Sequence, residues 1–117
     1  MIVIEAFHHI NLPAVNLEKS KEFYTMFLDF ELVSESPGKA NIVFDSINLF
    51  LDEKLTEPLS SHPVFSFIMD IDDFTDALQE IEESSIEIVS GPSEIPGGEC
   101  VTLKDPSGNL LELFYKE

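Results

Sequence analysis

The sequence contains no arginine and no tryptophan, and its 117 residues include a single cysteine, Cys100. One cysteine excludes an intramolecular disulfide, and with it the small secreted scaffolds that disulfides hold together. No stretch approaches the roughly 18 consecutive apolar residues that span a bilayer. The first residues also lack the basic region of a signal peptide. We therefore expect a protein of the reducing cytoplasm with no membrane partner.

Positive charge is also scarce. Six lysines stand against 23 acidic residues, which gives a formal net charge of −17 at pH 7. A nucleic-acid backbone would be repelled by this charge, and the guanidinium group that best holds phosphate in a two-point contact is absent. The composition therefore argues against nucleic acid as a partner. It favours a cationic or apolar small molecule over an anionic one.

Apolar residues are plentiful, at 44% of the chain, so a disordered protein is excluded. The length suits one domain and is too short for two independent cores. Alternating and helical spacings predict the order strand, helix and three strands, and the same order then repeats. The predicted strands are 2–12, 31–36, 40–45, 47–52, 63–69, 86–90, 99–104 and 109–116, and the predicted helices are 16–28, with Asn16 as N-cap, and 72–83.

This repeat predicts an α+β fold of two βαβββ modules that form a cupped mixed sheet with helices on its outer face. Module one covers 1–53, a polar linker covers 54–61, and module two covers 62–117, together making one domain over 1–117. Neither module buries both faces of its own sheet, so we expect the two modules to pack together, or to swap between chains, to form the domain. Open sheet edges also need cover. We therefore expect a homodimer.

Strand alternation assigns side chains to the two faces of the sheet. We expect Phe7, His9, Asn11, Phe50, Leu110, Glu112 and Phe114 to face a cavity. The alternate positions Ile10, Leu12, Leu49, Leu51, Leu111 and Leu113 should face the helices. A carboxylate within an apolar run such as residues 110–114 needs a partner, which favours a cavity role for Glu112. Cys100 has no basic neighbour in sequence and is expected to be a small buried hydrophobe.

Three segments carry a family resemblance: residues 7–12 (Phe-His-His-Ile-Asn-Leu), residues 16–24 and the closing residues 105–113 (Asp-Pro-Ser-Gly-Asn-Leu-Leu-Glu-Leu). They resemble the vicinal oxygen chelate superfamily of glyoxalases, bleomycin and fosfomycin resistance proteins and extradiol dioxygenases. The resemblance covers nearly the whole chain and implies the two-module fold. For function it is less specific, because this fold serves lyases, transferases, dioxygenases and non-catalytic drug binders.

The resemblance also implies a metal site. Its metal-using members hold a divalent cation with ligands from three strands, of which His9 matches the first and Glu112 the last. The second ligand is expected at Val64, which has no donor atom, and His62 lies two residues earlier on the same strand face. Phe50 falls near the position of a possible fourth metal ligand, on the last strand of module one. For His9, a structural role as a strand-end histidine bonded to the backbone has the same weight as a role in the site. For His62, a place in the solvated linker has more weight than a role as metal ligand.

The sequence leaves three hypotheses for the function. The first is a binding protein with an acidic, aromatic pocket lined by Phe7, Asn11, Phe50, Val64, Leu110 and Phe114, with no cofactor and with His9 and Glu112 as its polar or acid–base groups. The second is a lyase, isomerase or dioxygenase that uses His9, Glu112 and a third ligand, such as His62, to hold Mn, Fe, Ni or Zn. A small interaction module without a pocket is a third hypothesis, which an excess of exposed apolar surface would support.

Overall fold

The computed structural model describes residues 1–58, 61–63 and 65–116. The chain divides into two compact units, Met1–Thr56 and Glu57–Glu117. This division falls inside the segment expected to be a linker. None of the helices that the structure describes has the length and apolar character needed to cross a membrane.

The first unit contains one helix and a four-stranded sheet. Its elements are β1 (Ile10–Pro13), α1 (Leu17–Glu22), which continues as a π-helical turn (Phe23–Phe27), β2 (Glu31–Ser36), β3 (Lys39–Phe44) and β4 (Ile47–Asp52). The strand order is β1-β4-β3-β2, with β1 parallel to β4 and the other pairs antiparallel. Asn16 caps α1, because its side-chain oxygen accepts a hydrogen bond of 3.1 Å from the Lys19 backbone.

The second unit repeats this arrangement. Its elements are β5 (Phe65–Ile68), α2 (Phe74–Glu83), β6 (Ile88–Ile95), β7 (Gly98–Lys104) and β8 (Leu110–Lys116). The strand order is β5-β8-β7-β6, with β5 parallel to β8. The two βαβββ modules and their mixed four-stranded sheets confirm the predicted α+β fold.

Each sheet buries one face beneath its helix. In the first unit, α1 packs on β3 and β4, and the buried side chains of this face include Leu12, Ile42, Leu49 and Leu51, all 0% exposed. In the second unit, the ring of Phe74 on α2 stacks on Tyr115 of β8, with centroids 5.4 Å apart. Leu111 and Leu113 share the face of Tyr115 and are buried.

The closing hairpin between β7 and β8 is built on Asp105. One of its carboxylate oxygens accepts hydrogen bonds of 2.9 Å from the backbone of Ser107 and Asn109, and the other accepts one of 2.8 Å from the Asn109 side chain. Asp105 and Asn109 are both buried. This Asx-type turn explains why the sequence signal at residues 105–109 predicts the hairpin well.

The first predicted strand is wrong over most of its length. Strand β1 begins at Ile10, and residues 1–9 have no regular secondary structure. The parallel register pairs Ile10 with Leu49, so a strand extended backwards would pass the start of β4 at Ile47 after two more residues. The earlier residues therefore have no strand beside them in this sheet, whatever their β-propensity.

Two further boundaries differ from the sequence prediction. The helix predicted over 16–28 is an α-helix only to Glu22, after which its hydrogen bonding becomes π-helical. Strand β6 runs to Ile95 rather than ending at Ser90, although it contains Gly91 and Pro92. It lies at the edge of its sheet, where proline is tolerated, and register shifts at residues 88–93 accommodate these two residues.

Candidate functional site

The first sheet carries a polar face opposite its buried leucines. Phe50 lies at its centre, with Asn11 of β1 and Asn41 of β3 as its register neighbours. Asn48 precedes Phe50 by two residues and therefore shares its face. Phe50 is half-buried and Asn11 is exposed. We call Asn11, Asn41, Asn48 and Phe50 the first polar face.

His9 joins this face from the residue before β1. Its imidazole ring stacks on Phe50, with ring centroids 3.9 Å apart and planes 12° from parallel. The ring of His8 lies perpendicular to that of Phe50, with centroids 6.0 Å apart. The Nδ1 atoms of His8 and His9 are 2.8 Å apart, so one of them donates a hydrogen bond and the other accepts it. This contact occupies Nδ1 of His9. Its Nε2 has no hydrogen-bond partner among residues 1–58, 61–63 and 65–116, and is therefore the nitrogen that a ligand would meet.

The second sheet has its own polar face, centred on Glu112 of β8. Ser66 of β5 and Thr102 of β7 are its register neighbours. The thiol of Cys100 donates to a carboxylate oxygen of Glu112 at 3.8 Å. Phe114 pairs with Cys100 in the register and is half-buried. We call Ser66, Cys100, Thr102, Glu112 and Phe114 the second polar face.

Cys100 is a protected thiol rather than a reactive one. It is 6% exposed. Burial raises the pKa of the thiol first, and the negative charge of Glu112 and its hydrogen bond raise the pKa further. Both causes disfavour the thiolate, which is the nucleophilic form. In this arrangement Cys100 acts as a hydrogen-bond donor to Glu112.

The remaining predicted site residues lie apart from these contacts or outside the described part of the chain. Phe7 is 67% exposed and precedes β1. His62 is exposed in a bend before β5. Leu110 is half-buried at the start of β8. Val64 lies outside the residues that the structure describes. Within either unit, the described residues bring no three His, Cys, Asp or Glu side chains close enough to hold a metal ion.

Sequence reasoning did not single out Asn41 and Asn48. Both lie on the face of Phe50, on the two central strands of the first sheet. The signal was present in the alternation of the two strands: Asn41 lies between buried Ala40 and Ile42, and Asn48 comes directly before buried Leu49. Applying the face assignment to β3 as well as to β1, β4 and β8 would have found them.

A cavity of about 680 Å³ lies elsewhere in the first unit, between the start of α1 and the β2–β3 turn. Its lining includes Lys21, which forms ion pairs of 2.8 Å with Glu18 and 2.7 Å with Glu35. The two carboxylates raise the pKa of the lysine. None of the residues of the first polar face lines this cavity. Its lysine is already neutralised by neighbouring side chains, so we do not place the site here.

Known proteins share both the sequence pattern and the fold. The chain is 30% identical to the virulence protein STM3117 of Salmonella typhimurium, over 96% of this chain and 85% of that protein. It is 28% identical to the metallothiol transferase FosB of Staphylococcus haemolyticus, over 98% of this chain and 94% of that protein. The crystal structure of TnmS3, an antibiotic binding protein from Streptomyces sp. CB03234, superposes with a TM-score of 0.75 at 23% identity and covers all of both chains.

The family itself follows from a match over most of the chain. A sequence model of the Glyoxalase/Bleomycin resistance protein/Dioxygenase superfamily matches residues 6–113. This range includes the first module's elements in full, the second module's elements up to the middle of β8, and every residue of the two polar faces except Phe114. The chain therefore belongs to the glyoxalase, bleomycin resistance protein and dioxygenase superfamily.

Proposed function

We propose that this protein binds a small, flat organic molecule on its first polar face and that binding needs no metal ion. The observation that carries the proposal is the stack of His9 on Phe50 at 3.9 Å, on a sheet face that also presents Asn11. Stacked rings offer a large, rigid apolar surface, and the amides beside them supply the few polar contacts that orient a ligand. TnmS3, which shares the fold, is named as an antibiotic binding protein.

The charge of the protein supports a neutral or cationic ligand. With a net charge of −17, the surface attracts cations and repels anions before any contact forms. An aromatic face such as that of Phe50 also attracts a cation. We therefore propose that the acidic charge of the whole protein and the aromatic surface of this face together select flat cationic molecules.

The residues present do not fit a metal centre of the usual composition. Catalytic metal sites generally use three protein ligands and an open position. Of the three positions implied by the family resemblance, His9 and Glu112 supply two donors, whereas the valine at position 64 has none. We therefore derive no step through a metal.

A metal-dependent enzyme is the second candidate, because FosB is named as a metallothiol transferase and is 28% identical to this chain. In that case, as the family resemblance implies, His9, Glu112 and a third donor such as His62 would be the ligands of Mn, Fe, Ni or Zn. Fosfomycin itself suits this chain poorly as a substrate. Its phosphonate calls for a two-point cationic partner, and the sequence contains no arginine.

The proposal is tested by titrating the protein with metal-free bleomycin in the presence of EDTA. Bleomycin is a cationic molecule with a flat heteroaromatic segment, which makes it a suitable first probe. We expect saturable binding by calorimetry that EDTA does not weaken. Binding that disappears with EDTA and returns with Mn²⁺ or Zn²⁺ would favour the metal-dependent candidate. Absence of binding under both conditions would contradict the proposal.

We also propose that the protein is a homodimer. The four edge strands β1, β2, β5 and β6 have one side without a strand partner in the described sheets. Edge strands with free backbone groups are usually covered in stable proteins. Light scattering at micromolar protein concentration should give twice the chain mass of 13.2 kDa. A mass of one chain would contradict the dimer without affecting the proposed ligand site.

A further inference from the structure

Two side-chain oxygens on the first polar face are buried without a partner. The Oδ1 atoms of Asn41 and Asn48 are shielded from solvent, and neither has a hydrogen-bond partner among the residues that the structure describes. Most buried polar atoms in folded proteins have such a partner. These two oxygens are therefore an exception that needs an explanation.

The positions of the two asparagines make a structural explanation weak. They lie on the central strands β3 and β4, where Asn41 pairs with Phe50 and Asn48 pairs with Val43. They are thus diagonal neighbours on one face, a relation that places such residues about 7–8 Å apart. A leucine has the same branching, although it is larger, and it would remove the cost of burying an unpaired amide oxygen. Stability alone would favour that exchange at both positions.

The same positions are suited to recognising a ligand through hydrogen bonds. Both amides border Phe50, the ring on which His9 stacks. An unpaired carbonyl-type oxygen accepts hydrogen bonds and so seeks an N–H or O–H group. The side chains of Asn41 and Asn48 are only half-buried. A turn of either amide therefore exposes its oxygen to such a group on a molecule lying against the Phe50 region. Two neutral oxygens fall well short of the six to eight that Ca²⁺ takes, so a hard cation is a poor match.

We propose that Asn41 and Asn48 form a subsite, here called the asparagine pair, that selects ligands carrying an amine, amidine or amide group on a flat ring. This inference rests on the proposed function, because it assigns the ligand class of the same face. It adds that the protein binds hydrogen-bond donor groups of the ligand rather than acceptor groups. The acidic net charge acts in the same direction for amines and amidines.

The test uses three probes of nearly equal shape. Benzamidine carries a cationic donor group, benzamide a neutral donor group, and benzoate only acceptors. Binding is followed by chemical-shift titration of the wild-type protein, Asn41→Leu, Asn48→Leu and Phe50→Ala. Gln79→Leu, which replaces an exposed amide on α2, is the matched control.

We expect benzamidine and benzamide to bind and benzoate not to bind. Each asparagine substitution should weaken benzamidine about five-fold, the usual effect of one lost hydrogen bond. Gln79→Leu should leave its affinity unchanged. Asn41→Leu and Asn48→Leu should unfold at the wild-type temperature or above it, because they remove unpaired buried atoms.

Four results would overturn the asparagine pair. One is failure of benzamidine and benzamide to bind, and a second is benzamidine affinity that neither substitution changes. A third is preferential binding of benzoate, which would mean that the amide nitrogens face the ligand. The last is a lowered unfolding temperature in both leucine variants, which would mean that the amides have a structural role. If bleomycin still binds and depends on Phe50, the proposed function survives any of these results. If Phe50→Ala changes no affinity, the proposed function fails as well.

Discussion

Phe50→Ala should weaken bleomycin binding in EDTA by about 10- to 100-fold, the effect of losing one stacking ring in a binding site. Phe50 is the ring on which His9 stacks at 3.9 Å, and the His8 ring lies perpendicular to it with centroids 6.0 Å apart. Alanine removes the flat surface and releases both imidazoles from their positions. Calorimetric titration of the purified variant measures the change directly.

Two companion variants separate a lost binding surface from a damaged fold. Phe50→Tyr keeps the ring and should bind within a few-fold of wild type. Phe44→Ala removes a ring from the opposite face of the same sheet, where Phe44 packs on Phe30 with centroids 5.6 Å apart. It should lose stability but keep its affinity. If Phe44→Ala weakens binding as much as Phe50→Ala, the first polar face is not the binding surface.

Gly98→Ala should be the most destabilising single exchange of a small residue, by roughly 3–4 kcal/mol. Gly98 begins β7 and pairs with Lys116 at the end of β8. A Cβ atom there would overlap the carbonyl oxygen of Tyr115 and lie 3.2 Å from the ring of Phe114. Backbone cannot yield as a flexible side chain can, so the β7–β8 pairing must open. Denaturant unfolding should show a reduced free energy of unfolding.

Gly97→Ala is the matched control, since it changes the preceding residue in the same turn. Its Cβ would lie 3.6 Å from Phe114, which is an ordinary contact, so its cost comes from the positive φ of +93°. That cost should be about 1–2 kcal/mol. If the two variants lose the same free energy of unfolding, the close approach to Tyr115 does not contribute to the cost of Gly98→Ala.

The order of elements was readable from the sequence because local signals agree with the fold. Asn16 precedes a helical pattern and caps it, and residues 105–109 form the turn that their composition predicts. The start of β1 was not readable, because it depends on where β4 begins rather than on residues 2–9 themselves. The π-helical turn at Phe23–Phe27 likewise has no local sequence signal that we used.

The site was only partly readable. Alternation places His9, Asn11 and Phe50 on one face, but it does not reveal that His9 stacks on Phe50. Glu112 was expected to need a partner, and that partner is Cys100. The two residues lie on different strands, and the β7–β8 register brings them together. The asparagine pair required the register of β3 and β4. In each case the missing information is a contact between strands, which composition and spacing do not encode.

The central claim is that ligand binding in this chain needs no metal ion, and its most direct test is the metal content of protein purified without chelators. Mass spectrometry of the dialysed protein should find Mn, Fe, Ni and Zn far below one equivalent per chain, because the donor set falls one ligand short of the usual three. One equivalent of metal in the wild-type protein that is lost in both His9→Ala and Glu112→Ala would contradict the claim. Loss in His62→Ala as well would identify the third ligand.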